Sequence, residues 1–125
     1  MTKHEIARAF SGHRFDETFD HLAEDVVWNL IGATRLQGRA AVIAACQGTT
    51  ADNAEVTTTW LRFVSTGDGD VVAVDAIGRY TGPDSVTAVS SCDIYEFADG
   101  NIHTITSYAT EVNPDDPYAA TDAGG

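Results

Sequence analysis

Apolar residues recur at helical spacing in the first third of the chain and at strand spacing after it. Ile6, Ala7, Ala9 and Phe10 form a short helical face that breaks at Ser11-Gly12. A second helix is expected from about residue 14, where Phe15, Phe19 and Leu22 fall at i, i+4 and i+7 on one stripe. Residues 25–31 are rich in β-branched and aromatic side chains and predict a strand that stops at Gly32. A loop over 33–37 leads to Gly38. Residues 39–47, Ala-rich with Val42, Ile43 and Cys46 at helical spacing, predict another helix.

Four strands are expected next, over 55–65, 71–80, 85–97 and 102–112. Turn signals separate them: Thr66-Gly-Asp-Gly69, Thr81-Gly-Pro-Asp84 and the Asp99-Gly100 hairpin. Such turns imply consecutive antiparallel pairing. The order is therefore α-α-β-α-β-β-β-β, an α+β fold. One curved antiparallel sheet with helices packed on its inner face buries every apolar stripe. A bent sheet facing helices leaves a conical cavity, which is a ligand site by geometry. Residues 1–112 are expected to form a single domain. Residues 113–125, rich in Pro, Asp and Gly, are expected to be a flexible tail.

Charge narrows the partners. The 125 residues carry 7 Lys+Arg against 19 Asp+Glu, a net charge of −12. Residues 63–125 hold eleven acidic groups and one basic group, Arg79. This excess argues against nucleic acid and against an anionic membrane surface, but not against a small neutral ligand. No apolar run approaches the ~18 residues of a membrane span, and the N-terminus lacks an apolar signal core, so a cytoplasmic protein is expected. Cys46 and Cys92 make neither a disulfide framework nor a zinc motif. They read as small apolar residues rather than nucleophiles. No phosphate loop, Ser-His-Asp pattern or metal cluster is present, and no cofactor is expected.

Three stretches carry a resemblance to a known family: Phe19-Asp-His-Leu-Ala-Glu-Asp-Val-Val-Trp28, Gly38-Arg-Ala-Ala-Val-Ile43, and Tyr95-Glu-Phe-Ala-Asp-Gly-Asn-Ile102 with Ile105-Thr-Ser-Tyr108. Together, over about residues 3–112, they resemble the SnoaL-like proteins of the nuclear-transport-factor-2-like superfamily. That superfamily holds ketosteroid isomerases, limonene-type epoxide hydrolases, polyketide cyclases, dehydratases and non-catalytic binding domains. The resemblance implies a cone-shaped fold and a homodimer.

It also places candidate chemistry. Asp93 interrupts a neutral strand and shares a face with Thr87, Val89, Ser91 and Tyr95. The resemblance puts it where ketosteroid isomerases carry an oxyanion-hole aspartic acid. A carboxyl in an apolar cavity has its pKa raised and can donate a proton. The general-base position of those enzymes falls near Leu30 and their first-helix tyrosine near Ile6, neither of which moves a proton. Of the polar positions of the epoxide hydrolases, Asp75 falls near one, while the arginine falls at Ala73 and the last-strand aspartate at Ser107. Period 2 leaves open which face of the 71–80 strand points inward. On the last strand the same reading turns His103, Ile105 and Ser107 inward, and His103 is a second candidate acid or base. Asp93, His103 and Asp75 are thus the candidate catalytic groups. Trp28, Leu30, Val89, Ser91, Tyr95, Ile105 and Ser107 are the candidate ligand wall. Thr57, Thr59, Leu61 and Phe63 are a candidate outer face for pairing two subunits.

Two functions follow as expectations. One is a cofactor-free enzyme acting by general acid–base chemistry on a small, largely apolar or aromatic molecule, of isomerase, cyclase, dehydratase or hydrolase type. The other is a binding module with the same cavity and no turnover. A third possibility is a dimeric scaffold whose cavity is filled by its own side chains.

Overall fold

The computed structural model describes residues 1–116. Helix α1 spans Lys3–Ser11. It opens on a capping box: the Thr2 hydroxyl accepts from the Glu5 amide, and the Glu5 carboxylate accepts from the Thr2 amide. A 3-10 segment, Phe15–His21, leads into strand β1, Leu22–Leu30. Strand β2 is Thr34–Gln37, helix α2 is Arg39–Asp52, and strands β3 to β6 are Thr57–Asp68, Val71–Thr81, Val86–Ala98 and Asn101–Val112.

The six strands form one curved sheet in the order β2-β1-β6-β5-β4-β3. Neighbours pair antiparallel except β1 and β6, which run parallel. Turn signals report only on consecutive strands, so this long-range parallel contact has no local signature. Ile6, Phe10, Leu22, Val26, Val42, Cys46, Val72, Val74, Tyr95, Ile102 and Ile105 make one core between the helices and the sheet.

Four expectations need correction. The second helix is only the 3-10 segment, because the Thr18 hydroxyl bonds back to the Phe15 carbonyl at 2.6 Å and Leu22 is buried as the first residue of β1. The loop over 33–37 contains β2, which returns antiparallel on β1 from Leu30↔Thr34 to Val27↔Gln37. Only Leu36 of its four residues is half-buried, so no alternation announced it.

The other two corrections are bulges. In β3, Trp60 pairs Gly78 and Arg62 pairs Ile77, leaving Leu61 as an extra residue. The slip turns Phe63 inward onto the main core, while Leu61 packs with Ile77, Ala88 and Val112 on the outer face. In β6, Thr104 pairs Glu96 and Ile102 pairs Phe97, so His103 is the extra residue. Ile102 and Ile105 are then both fully buried and His103 is pushed out to solvent.

Of the expected tail, residues 113–116 form a turn to which Arg79 is tied, Nη2 donating to the Pro114 carbonyl at 2.9 Å. Residues 117–125 lie outside the described residues. Among the described residues no helix is long and apolar enough to cross a membrane.

Candidate active site

A cavity of about 190 Å³ lies between the end of α1 and the inner face of the sheet. Phe10, Ser11 and His13 line it from α1 and the turn after it, and Trp28 and Leu30 from β1. Trp60 of β3 and Tyr80 of β4 close one side, while Val89, Ser91 and Asp93 of β5 and Ser107 of β6 form the floor. Aromatic rings dominate. Phe10 packs edge-to-face on Phe15, Trp28 and Tyr95, with centroids 5.0, 5.1 and 5.8 Å away.

Asp93 is the carboxylate in this box. Ser11 Oγ donates to Asp93 Oδ2 at 2.7 Å and stands 2.6 Å from the Tyr95 hydroxyl. With the Ser11 proton directed at Asp93, Tyr95 is the donor of the second bond. From the other side, Trp28 Nε1 donates to Ser107 Oγ at 2.8 Å. Ser107 pairs with Asp93 across β5 and β6 and hydrogen-bonds its carboxyl. Two donor relays, Tyr95 to Ser11 and Trp28 to Ser107, therefore converge on one carboxyl group. Burial still prevails and raises the Asp93 pKa above its ordinary value; the two serine bonds and His13 only oppose it. Burial likewise lowers the His13 pKa, against the pull of Asp93, and raises that of the Tyr80 phenol.

The glycine at 78 makes room for the aromatic wall. A β-carbon there would come 2.9 Å from Trp60 and 3.0 Å from the Tyr80 hydroxyl. A glycine inside a strand permits this kind of close approach.

The profile of the SnoaL-like domain family matches residues 4–105. The chain belongs to that family. Among curated proteins, none matches the sequence. Solved structures similar to this SnoaL-like domain share its NTF2-like fold. One is an NTF2-like protein of unknown function from Cytophaga hutchinsonii, with 28% identity and a TM-score of 0.75 over 86% of this chain and 95% of that one. Another, from Kribbella flavida, is named provisionally as a ketosteroid isomerase, with 25% identity and a TM-score of 0.63 over 87% and 78%. A third, from Xanthomonas campestris, is named provisionally as a polyketide cyclase, with 23% identity and a TM-score of 0.65 over 82% and 83%.

Within the SnoaL-like domain the three candidate catalytic groups do not assemble. Asp93 is in the cavity. Asp75 is on the outer face, where its carboxylate accepts from Arg62 Nε at 2.9 Å across β3 and β4. The inner face of β4 is Val72, Val74, Ala76, Gly78 and Tyr80, the set without Asp75 and Arg79. His103 is exposed beside Thr104, at 3.1 Å from its hydroxyl, for the reason given by the bulge. Of the candidate wall, Trp28, Leu30, Val89, Ser91 and Ser107 line the cavity. Tyr95 and Ile105 are fully buried and do not line it; Tyr95 supports the floor through Ser11.

Three lining residues do not stand out in the sequence: Ser11, which falls at the Ser11-Gly12 helix break, His13, which lies between the two expected helices, and Tyr80, on a strand whose inward face period 2 leaves open. Trp60, whose aromatic side chain would by itself read as core, also lines the cavity. The charges on Asp75 and Arg79 were the available signal for β4, since the alternative face is uncharged. Among the described residues no cluster of three or more His, Cys, Asp or Glu could hold a metal ion.

Proposed function

We propose that this SnoaL-like domain is a cofactor-free enzyme acting by general acid–base chemistry on a small, largely apolar molecule, with Asp93 as the group that exchanges a proton with it. The observation that carries this reading is a carboxyl group set in an aromatic cavity, held by two serine donors, with its pKa raised by burial. Such a carboxyl holds its proton nearer to neutral pH than a free one, and is a stronger base once the proton has left. Its serine bonds fix the orientation of that proton transfer. The Tyr80 phenol, kept protonated by burial, is a donor on the same wall for a substrate oxygen.

Size restricts the substrate. Cavities of roughly 150 Å³ accept benzene, so about 190 Å³ holds a one-ring molecule. A steroid exceeds this volume and could not be enclosed by it. The names isomerase and cyclase on two neighbours fall in the same coarse reaction class.

A second reading, a binding module without turnover, is favoured by Leu30, an apolar residue on the cavity wall where the resemblance would place a general base. A panel of one-ring ketones and enones in D2O, followed by mass spectrometry, separates the two. Deuterium gain with the wild type and its loss in Asp93→Asn supports the enzyme. Stoichiometric binding of a panel member with no exchange supports the module and sinks the enzyme.

For assembly we propose a homodimer through the outer sheet face, on which Val64, Val71 and Tyr108 are exposed. A monomer in sedimentation equilibrium at micromolar concentration would refute it.

A further inference from the structure

We propose that His13 touches bound substrate and is the second proton-transfer group of the cavity, the base that complements Asp93. This rests on the acid–base reading above and names the partner that reading lacks.

His13 sits in the turn between α1 and the 3-10 segment with φ of 65°. It is one of two non-glycine residues with positive φ among the described residues. Glycine or asparagine usually takes such a position after a helix. Here the left-handed turn carries an imidazole that lines the cavity. The ring is stacked on Phe15 at 5.3 Å and on Tyr80 at 6.0 Å, with Trp60 edge-on at 5.5 Å.

Its nitrogens are the decisive feature. A buried histidine placed for structure commonly anchors a ring nitrogen in a hydrogen bond. Neither nitrogen of His13 bonds to another described residue; the same holds for His21, but of the two only His13 lines the cavity, whereas His4 and His103 bond elsewhere. A half-buried imidazole, packed against rings and unpartnered at both nitrogens, is aligned for a ligand. The titratable groups that share the cavity with it are Asp93 from β5 and Tyr80 from β4. His13 and Asp93 also act on each other electrostatically, each favouring the other's charged form. Burial keeps the isolated imidazole neutral near pH 7, which leaves a lone pair available.

The step balances without any co-reactant. The imidazole lone pair takes a proton from the carbon next to a substrate carbonyl. The electron pair of that C–H bond becomes a C=C bond. The carbonyl π pair moves to oxygen, which takes the proton of the Asp93 carboxyl. An enol, an imidazolium and a carboxylate result. The carboxylate is held by Ser11 and Ser107, and the ion pair is mutually stabilising. Returning both protons, the carbon-bound one to the same or a conjugated carbon, restores the protein.

The test is deuterium exchange of the one-ring ketone panel by the wild type, Asp93→Asn, His13→Gln and His13→Gly. Glycine suits φ of 65°, so His13→Gly retains the turn. Loss of about 100-fold or more in both His13 variants is expected, with disappearance of one limb of the pH profile. Free imidazole added to His13→Gly is expected to restore exchange, which a purely structural role would not allow. Exchange kept within threefold in both His13 variants, with Asp93→Asn inactive, would overturn the role of His13 and leave the acid–base reading standing. No exchange by the wild type with any ketone would overturn both.

Discussion

The Ser11 hydroxyl at the end of the first helix donates to Asp93 on the fifth strand across 2.7 Å, joining residues 82 positions apart. The same oxygen is the hydrogen-bond partner of Tyr95, whose ring is fully buried. Ser11→Ala therefore leaves a phenol hydroxyl orphaned in the core as well as freeing one side of Asp93. A buried unsatisfied hydroxyl costs about 1–3 kcal/mol. Adding Tyr95→Phe removes the orphan, so the double variant is expected to melt above Ser11→Ala. Thermal denaturation of the four proteins checks this; a double variant no more stable than the Ser11 single would disprove the relay. Ser11→Ala should also raise the Asp93 pKa further, since its bond opposes the effect of burial.

The pH dependence of stability follows from the same carboxyl. Burial raises the Asp93 pKa in the fold above the ordinary 3.8. The native state thus binds this proton more tightly than the unfolded chain. Its contribution to stability is complete below the unfolded pKa and is lost as pH rises through the folded pKa. Asp93→Asn keeps the shape and removes the charge. It is expected to be more stable than the wild type at pH 7, by about 1 kcal/mol, and no more stable at pH 3. His13 has the opposite sign. Its pKa is depressed below 6.5, so its contribution is present above that value and is lost as pH falls through the folded pKa. Urea titrations of both proteins from pH 3 to 8 separate the two groups, and a wild type more stable than Asp93→Asn at pH 7 would refute the assignment.

Much of this fold was legible because it rests on local chemistry. The Asp99-Gly100 turn, the alternation over Asp93 and the helical stripe of Val42 and Cys46 each announce their element within a few residues. What was lost depends on register. One extra residue at His103 sends Ile102 inward and His103 outward, while Ile105 and Ser107 beyond it keep the expected inward face, and nothing in the local pattern marks the slip. The same holds at Leu61, where a bulge sends Phe63 to the core. The site was legible at Asp93, the one charge in the otherwise neutral run 86–95. It was not legible at His13, because its role comes from a left-handed turn that aims a side chain outside any periodic pattern.

The aromatic wall is sensitive to position 78. An alanine β-carbon would meet the Trp60 and Tyr80 rings at 2.9–3.1 Å, closer than such contacts normally allow. The ring ends can shift, and the space they shift into is the cavity. Gly78→Ala is expected to cost about 1 kcal/mol in stability and to abolish binding of one-ring ligands. Calorimetric titration with a panel member that binds the wild type checks this, and unchanged affinity would show that the two rings do not delimit the site.

The two thiols are expected to differ from each other and from catalytic cysteines. Cys46 is fully buried against the core, and burial pushes its thiol pKa up to about 12. The thiolate is the reactive form, and at pH 8 a pKa of about 12 leaves roughly one thiol in ten thousand ionised. Cys92 is only half-buried, and its pKa is raised by burial, Asp93 and Asp75. A chromogenic disulfide reagent at pH 8 should therefore titrate Cys92 slowly in the native protein and Cys46 only on unfolding. Rapid reaction of both in the folded state would show that the core around Cys46 opens, and would remove the basis for treating it as a packing residue.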